Sequence, residues 1–308
     1  MVEVSSFQLE HATSFRARGA ILLNVTPDHL DRHGSLERYT ALKARLLEQL
    51  LPGGVAVYHA ALEDALRLSP ETRRVRLWLR GEEPQTAQRP LAQDWQVAAD
   101  GIRKVTPPEE LVVPRYSLRL QGNHNLENAM AVVSLLTSLG IPRERYRVAL
   151  SHFQCGPHRI QTVGEWQGIR FVDDSKATDV DALIQALRTL GPCAGKGISL
   201  IAGGLDKGCA LREAKPDIRM YVKRVFLIGE CRHRLQEAWR EEAPCVLCDS
   251  LEEAVTRAAQ GASPGEIVLL SPGCASMDMF RSYAERGDRF AAAMRALPPG
   301  KEPPTTSA

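Results

Sequence analysis

Residues 198–208 read Ile-Ser-Leu-Ile-Ala-Gly-Gly-Leu-Asp-Lys-Gly, a short apolar β run that empties into a turn of glycines, an acid and a lysine. Two other runs end in the same manner. Ile169-Arg170-Phe171-Val172 leads into Asp173-Asp174-Ser175-Lys176, and Ile267-Val268-Leu269-Leu270 into Ser271-Pro272-Gly273-Cys274-Ala275-Ser276. Arg224 to Ile228 forms a fourth run, and segments with helical periodicity lie between and after them: Asp181 to Leu190, Leu251 to Ala259 and Met279 to Leu297. Such alternation needs crossover connections, so it predicts a doubly wound, Rossmann-like α/β domain with a mainly parallel sheet.

Upstream, Gly156-Pro157 punctuates the chain after the amphipathic stretch Arg143 to Phe153, which sets a first domain at 1–156 and a second at 157–297. The remaining tail, 298–308, has no apolar face and is expected to be disordered. The first domain also reads as α/β. Val2 and Val4 alternate like a buried strand with Ser5-Ser6-Phe7 as its exit, and Ala20 to Val25 is a β run stopped by Thr26-Pro27-Asp28. Ser35 precedes a helix expected over Leu36 to Leu51. Strands are expected at Val55–Tyr58, Val75–Leu79 and Tyr116–Leu120, and a long helix from Asn123 to Leu139. The chain thus opens inside a pattern.

Composition narrows the function. The 308 residues are 44% hydrophobic and 25% charged, and 39 Lys and Arg against 37 Asp and Glu leave a formal charge of +2. No basic run marks a nucleic-acid footprint and no apolar stretch is long enough to span a membrane, so small molecules are the expected partners. Seven cysteines at irregular positions, without a secretory leader, read as reduced thiols of a cytoplasmic protein. Cys245 and Cys248 make a CxxC, but it has no second pair and no histidine at ligand spacing, so ordinary loop cysteines are favoured over zinc.

Three clusters carry chemistry. Lysines at the carboxyl edge of the second sheet, Lys176 and Lys207, imply an anionic ligand, since lysine has no role in a turn; the alternative is a set of loops using Gly, Ser and Asp for turns and caps. Asp28-His29-Leu30-Asp31-Arg32-His33, with Glu3 and Ser5 on the preceding segment, offers hard oxygen donors suited to Mg²⁺, or simply a turn cap and a polar interface. Gly122 to Asn128 opens a helix with amides that can bind a purine or phosphate, or that only cap it.

Taken together, residues 3–10 (EVSSFQLE), 24–43 (NVTPDHLDRHGSLERYTALK), 122–132 (GNHNLENAMAV), 156–161 (GPHRIQ), 173–182 (DDSKATDVDA), 203–208 (GGLDKG) and 269–290 (LLSPGCASMDMFRSYAERGDRF) resemble, in order, the Mur ligases. The resemblance runs from Glu3 to about Met294 and is nearest the branch that adds D-glutamate. It implies the C-terminal part of a central ATPase domain followed by a Rossmann-like domain. The family's upstream UDP-binding domain and its GTxGK[ST]T phosphate loop find no counterpart here, so the resemblance implies an N-terminally truncated form without activity of its own.

The reaction so implied uses ATP and Mg²⁺ to phosphorylate the carboxylate of UDP-N-acetylmuramoyl-L-alanine, and the amine of D-glutamate then attacks the acyl phosphate. By resemblance, Glu3 and His29 would help hold Mg²⁺ with Ser5 close by at the substrate, and Lys43 matches a lysine that becomes carbamylated and so turns into an oxygen donor. Asn125, Asn128, Arg159 and Asp174 fall where the family contacts the nucleotide, and Lys176 matches the lysine near the transferred phosphoryl group. Thr178, Lys207, Ser276 and Tyr283 fall at positions that hold D-glutamate, although the branch more often has Phe in place of Tyr283. His158 is a candidate acid or base, or a structural histidine in a hinge loop. A monomer is expected. Two alternatives stay open: a sister ligase or folylpolyglutamate synthetase, and a non-catalytic fragment that binds D-glutamate or a partner. The DNPR-like stretch of the diaminopimelate-adding branch does not occur.

Overall fold

In the computed structural model, which describes residues 1–26, 30–79, 82, 92–118, 120, 122–205 and 211–298, the chain divides into two units, Met1–Gln154 and Cys155–Ala308. Asp28, His29, Lys207 and the tail from 299 onward lie outside the described residues. The expected boundary, Gly156-Pro157, falls just past the division.

The first unit comprises α1 (Ser6–His11), β1 (Ala17–Leu22), α2 (Leu30–His33), α3 (Leu36–Glu48), β2 (Leu50–His59), β3 (Arg73–Trp78), β4 (Ala92–Ala98), β5 (Gly101–Lys104), β6 (Glu110–Pro114), α4 (Asn123–Ser138) and α5 (Arg143–His152). Its sheet runs in sequence order from β1 to β6. The first four strands are parallel and the last two pairings antiparallel. Val55 to Tyr58 are all fully buried because both faces of β2 are covered. Ala56 and Tyr58 join Leu47 of α3 in one cluster, and period two turns Val55 and Val57 the other way, the side on which α4 crosses the sheet. Arg76 of β3 and Asp94 of β4 face each other in register. Both are buried, in a two-pronged ion pair at 2.8 and 3.0 Å.

Two sequence expectations fail in this unit. No strand forms over Val2–Val4. Instead Ser5 caps α1 through a reciprocal capping box with Gln8, so the Ser-x-x-Gln spacing outweighs two exposed or half-exposed valines. Nor is Tyr116–Leu120 a strand: Arg115–Ser117 is a 3-10 turn with Tyr116 almost wholly exposed, and the strand is Glu110–Pro114, where Val112 and Val113 are buried.

The second unit comprises β7 (Gln161–Trp166), β8 (Ile169–Asp173), α6 (Val180–Ala194), β9 (Ile198–Gly203), α7 (Lys215–Tyr221), β10 (Val222–Ile228), α8 (Arg232–Trp239), β11 (Cys245–Leu247), α9 (Leu251–Gly261), β12 (Ile267–Leu270) and α10 (Tyr283–Arg295). The strand order is β11-β10-β9-β12-β8-β7. All pairings are parallel except β7 against β8. Every residue of β9 and β12 is buried, with α6, α7 and α8 packed in one cluster and α9 and α10 in the other. After β9 the chain winds outward through β10 and β11, then returns to place β12 on the other flank of β9. That reversal opens a crevice at the carboxyl ends of β8, β9 and β12, where open parallel sheets bind ligands. The last helix starts at Tyr283 and not at Met279, because Ser282 caps it by accepting from the Glu285 N–H.

Candidate functional site

Each strand bordering the crevice ends in polar residues held by the next strand's exit. Asp173 closes β8, and its Oδ2 lies 2.7 Å from His158 Nδ1 while its Oδ1 accepts the Ser175 N–H at 2.9 Å. His158 is nearly buried and sits at φ +62°, a left-handed conformation unusual for a side chain of its size. Its own N–H donates to Gln161 Oε1 (3.0 Å), and its carbonyl accepts from Lys176 N–H (3.1 Å). The carboxylate fixes Nδ1, which leaves proton exchange to Nε2. Asp174 points elsewhere, accepting from Ser271 Oγ at 2.8 Å and from the Ile160 N–H at 3.2 Å. Burial pushes its carboxyl up to about 7, more than these hydrogen bonds pull it down.

Around this core the structure gathers several of the residues expected from sequence. Lys176 Nζ lies 5.4 Å above the Tyr283 ring, and that ring stands edge-on to His158 at 6.2 Å. Thr178, half-buried, donates its N–H to the Lys176 carbonyl. Ser276 is buried just after the bridge between Leu205 and Ala275. Arg159 is exposed, and its charge draws the Asp174 carboxyl downward.

Sequence reading missed the residues that fasten this arrangement. Arg286 of α10 is completely buried, donating to Ser175 Oγ (2.9 Å), to the Ser175 carbonyl (2.8 Å) and to the Cys274 carbonyl (3.1 Å). It ties the exits of β8 and β12 together. Loss of hydration pushes its guanidinium down to about 10. Gly287 lies against the His158–Asp173 pair so closely that an added Cβ would overlap Nδ1 and stand 2.5 Å from Asp173 Oδ2. A glycine inside the helical pattern of residues 283–295 was the available signal.

In the first unit, Ser5 and Glu3 are exposed, and the Ser5 hydroxyl belongs to the α1 cap. Lys43 lies one turn beyond Tyr39 on α3, its Nζ 4.7 Å from the Tyr39 ring, which stacks on His33 at 5.0 Å. His33 in turn meets Ser6 Oγ at 3.1 Å. Asn125 and Asn128 share a face of the first turns of α4. Neither caps the helix, since Gly122 occupies that position at φ +80°. A cavity of about 280 Å³ borders Arg32, Arg38 and Arg45, but Arg32 pairs with the Glu10 carboxylate and Arg45 donates to the Glu10 and Ala12 carbonyls. No helix among the described residues is long and apolar enough to cross a membrane.

Comparison with known proteins agrees with this layout. Residues 1–136 match the Mur ligase middle domain, and residues 158–274 match the Mur ligase glutamate ligase domain. The UDP-N-acetylmuramoylalanine--D-glutamate ligase of Pelotomaculum thermopropionicum is 38% identical over 303 residues, covering 97% of this chain and 64% of that protein. The chain therefore spans less than two-thirds of that relative's length. Among solved structures, the MurF ligase of Thermotoga maritima in complex with ADP has a TM-score of 0.64 at 17% identity, over 93% of this chain and 64% of that one. The folylpolyglutamate synthase of Mycobacterium tuberculosis complexed with ADP and AMPPCP has a TM-score of 0.58 at 14% identity, over 92% and 65%. Identities this low bear on the fold alone, whereas the two domain matches and the sequence relatives are family-specific. The chain belongs to the Mur ligase family and carries its middle domain followed by its glutamate ligase domain.

Proposed function

We propose that the chain belongs to an ATP-dependent cytoplasmic ligase that joins the amine of D-glutamate to the carboxylate of UDP-N-acetylmuramoyl-L-alanine through an acyl phosphate, in peptidoglycan synthesis. The supporting observation is similarity over nearly the whole chain to proteins named for D-glutamate addition. In the second unit, Lys176 and Arg159 supply fixed positive charge for the phosphoryl group, and His158, oriented by Asp173, exchanges a proton at Nε2. Thr178, Ser276 and Tyr283 are the hydroxyl donors for the amino acid, with Lys207 as a carboxylate partner. Asn125, Asn128 and Asp174 are the nucleotide contacts.

Mg²⁺ would neutralise phosphate charge, with Glu3, His29 and Lys43 as its proposed holders. Glu3 fits a hard cation. Lys43 as an ammonium has no lone pair to offer, so its role depends on carbamylation.

Calorimetric titration of the 308-residue chain should show D-glutamate binding in preference to L-glutamate and to diaminopimelate. Ser276→Ala should weaken that binding about tenfold, the loss of one hydrogen bond to a charged group. A chimera supplying the rest of the Pelotomaculum relative should incorporate labelled D-glutamate into UDP-N-acetylmuramoyl-L-alanine. Preference for L-glutamate or diaminopimelate in both assays would overturn the reading in favour of a sister ligase.

A further inference from the structure

The CxxC of Cys245 and Cys248 attracts notice in the sequence, but in the structure each of its sulfurs meets a backbone carbonyl, and the sulfurs brought together are those of a pair 43 residues apart. Cys231 Sγ and Cys274 Sγ lie 3.3 Å from each other, both buried. Closing to a disulfide requires the sulfurs to approach by only about 1.3 Å, to a bond of about 2.05 Å. Cys231 belongs to the exit of β10 and Cys274 to the exit of β12, the two strands flanking β9. The β9 exit is already gripped from both sides: Cys231 N–H donates to the Gly204 carbonyl (3.0 Å), and Gly203 N–H to the Pro272 carbonyl (2.9 Å). A bond between the two sulfurs would close the grip over β9.

We propose that Cys231 and Cys274 form a reversible disulfide that clamps the carboxyl-end crevice of the second unit when the protein meets a hydroperoxide. Cys231 is the attacking sulfur because it is the more exposed of the two, 6% against 1%. In the first step the Cys231 thiol gives up its proton, its thiolate takes the terminal oxygen as the O–O bond of the hydroperoxide breaks, and the proton goes to the leaving oxygen, giving a sulfenic acid and water or an alcohol. Then Cys274 attacks the sulfenic sulfur, the S–S bond forms, the S–O bond breaks and water leaves. Two thiols are oxidised by two electrons and one hydroperoxide is reduced.

The surroundings favour this pair over the other. The Cys274 sulfhydryl holds the Cys231 thiol below its ordinary range, against its burial and, to a smaller extent, the charge of Asp278, and the Arg286 guanidinium reaches the Cys274 carbonyl. Asp278 itself accepts the Glu230 N–H at 2.9 Å through Oδ2. By contrast, burial pushes the thiols of Cys245 and Cys248 up to about 11, which starves them of thiolate.

The test treats the 308-residue chain with hydrogen peroxide, blocks residual thiols and identifies cross-linked peptides by mass spectrometry. A peptide joining Cys231 to Cys274, two hydrogens lighter than the free pair, is the expected product. The thermal midpoint should rise by about 5 °C and return on addition of dithiothreitol, because the link closes a long loop in the unfolded chain. Cys231→Ser and Cys274→Ala should each abolish both changes, while Cys245→Ser leaves them intact. Oxidation of exposed Cys193 without this cross-link, over-oxidation of Cys231 with Cys274 still reduced, or a Cys245–Cys248 bond in its place would each overturn the proposal. None of these readouts involves D-glutamate, so they succeed or fail independently of the proposed substrate.

Discussion

Asp174 is the residue whose protonation most directly couples the site to stability. Its carboxyl titrates near 3.8 when free and near 7 in the folded protein, where burial disfavours the charge. Over that interval the folded chain keeps a proton that the unfolded chain has released. The stabilisation is therefore complete below pH 3.8 and is lost as pH rises through about 7, by at most roughly 4 kcal/mol. Asp174→Asn keeps an oxygen for the Ile160 N–H and turns an amide N–H toward Ser271 Oγ, which can accept it, but cannot ionise. The difference in unfolding free energy between wild type and variant, measured by urea titration from pH 4 to 7.5, should move steadily in the variant's favour. A difference that stays constant with pH would show that Asp174 ionises freely. The carboxylate pair Asp173-Asp174 was visible in the sequence as a strand-end cluster. Its division of labour was not: the contact of Asp173 with His158 spans 15 residues and depends on a left-handed backbone at a non-glycine position.

At the scale of elements, α10 shows how a local preference can be overruled. Alanine is favoured over glycine inside a helix by about 1 kcal/mol, so Gly287→Ala would ordinarily stabilise α10. Here the new methyl group would press on His158 and Asp173, which are backed by β8. Overpacking of this kind costs about 1–3 kcal/mol. Thermal denaturation should accordingly show a lower midpoint for Gly287→Ala, and a higher one would mean that His158 can give way at no cost. The same contest between local signal and environment decided which elements were legible. β9 and β12 announce themselves as apolar runs because both their faces are covered, and β8 is buried at every position but Arg170. β7 and β11 are the sheet's two edges, with no fully buried residue, and carry no such run. α7 and α8 are short and bury few residues each, which leaves too little periodicity to detect.

For the molecule as a whole, the second unit should stand without the first. Its two clusters draw all their buried members from residues beyond Cys155, which is what an autonomous core requires. Residues 155–298 expressed alone should unfold cooperatively, with a midpoint within about 5 °C of one transition of the full chain. A gradual, non-cooperative melt would refute this. The strand order carries one more consequence, for how the protein is made. β8 and β9 follow one another in the chain but are not neighbours, because β12, translated after the other strands of this sheet, lies between them. While the ribosome is still delivering residues before Ile267, the emerging unit can exist only as two separate sheet fragments, each presenting an unpaired apolar edge toward the gap. The nascent chain is thus most open to mispairing and to chaperones late in synthesis, and a single four-residue insertion converts two exposed halves into one closed layer.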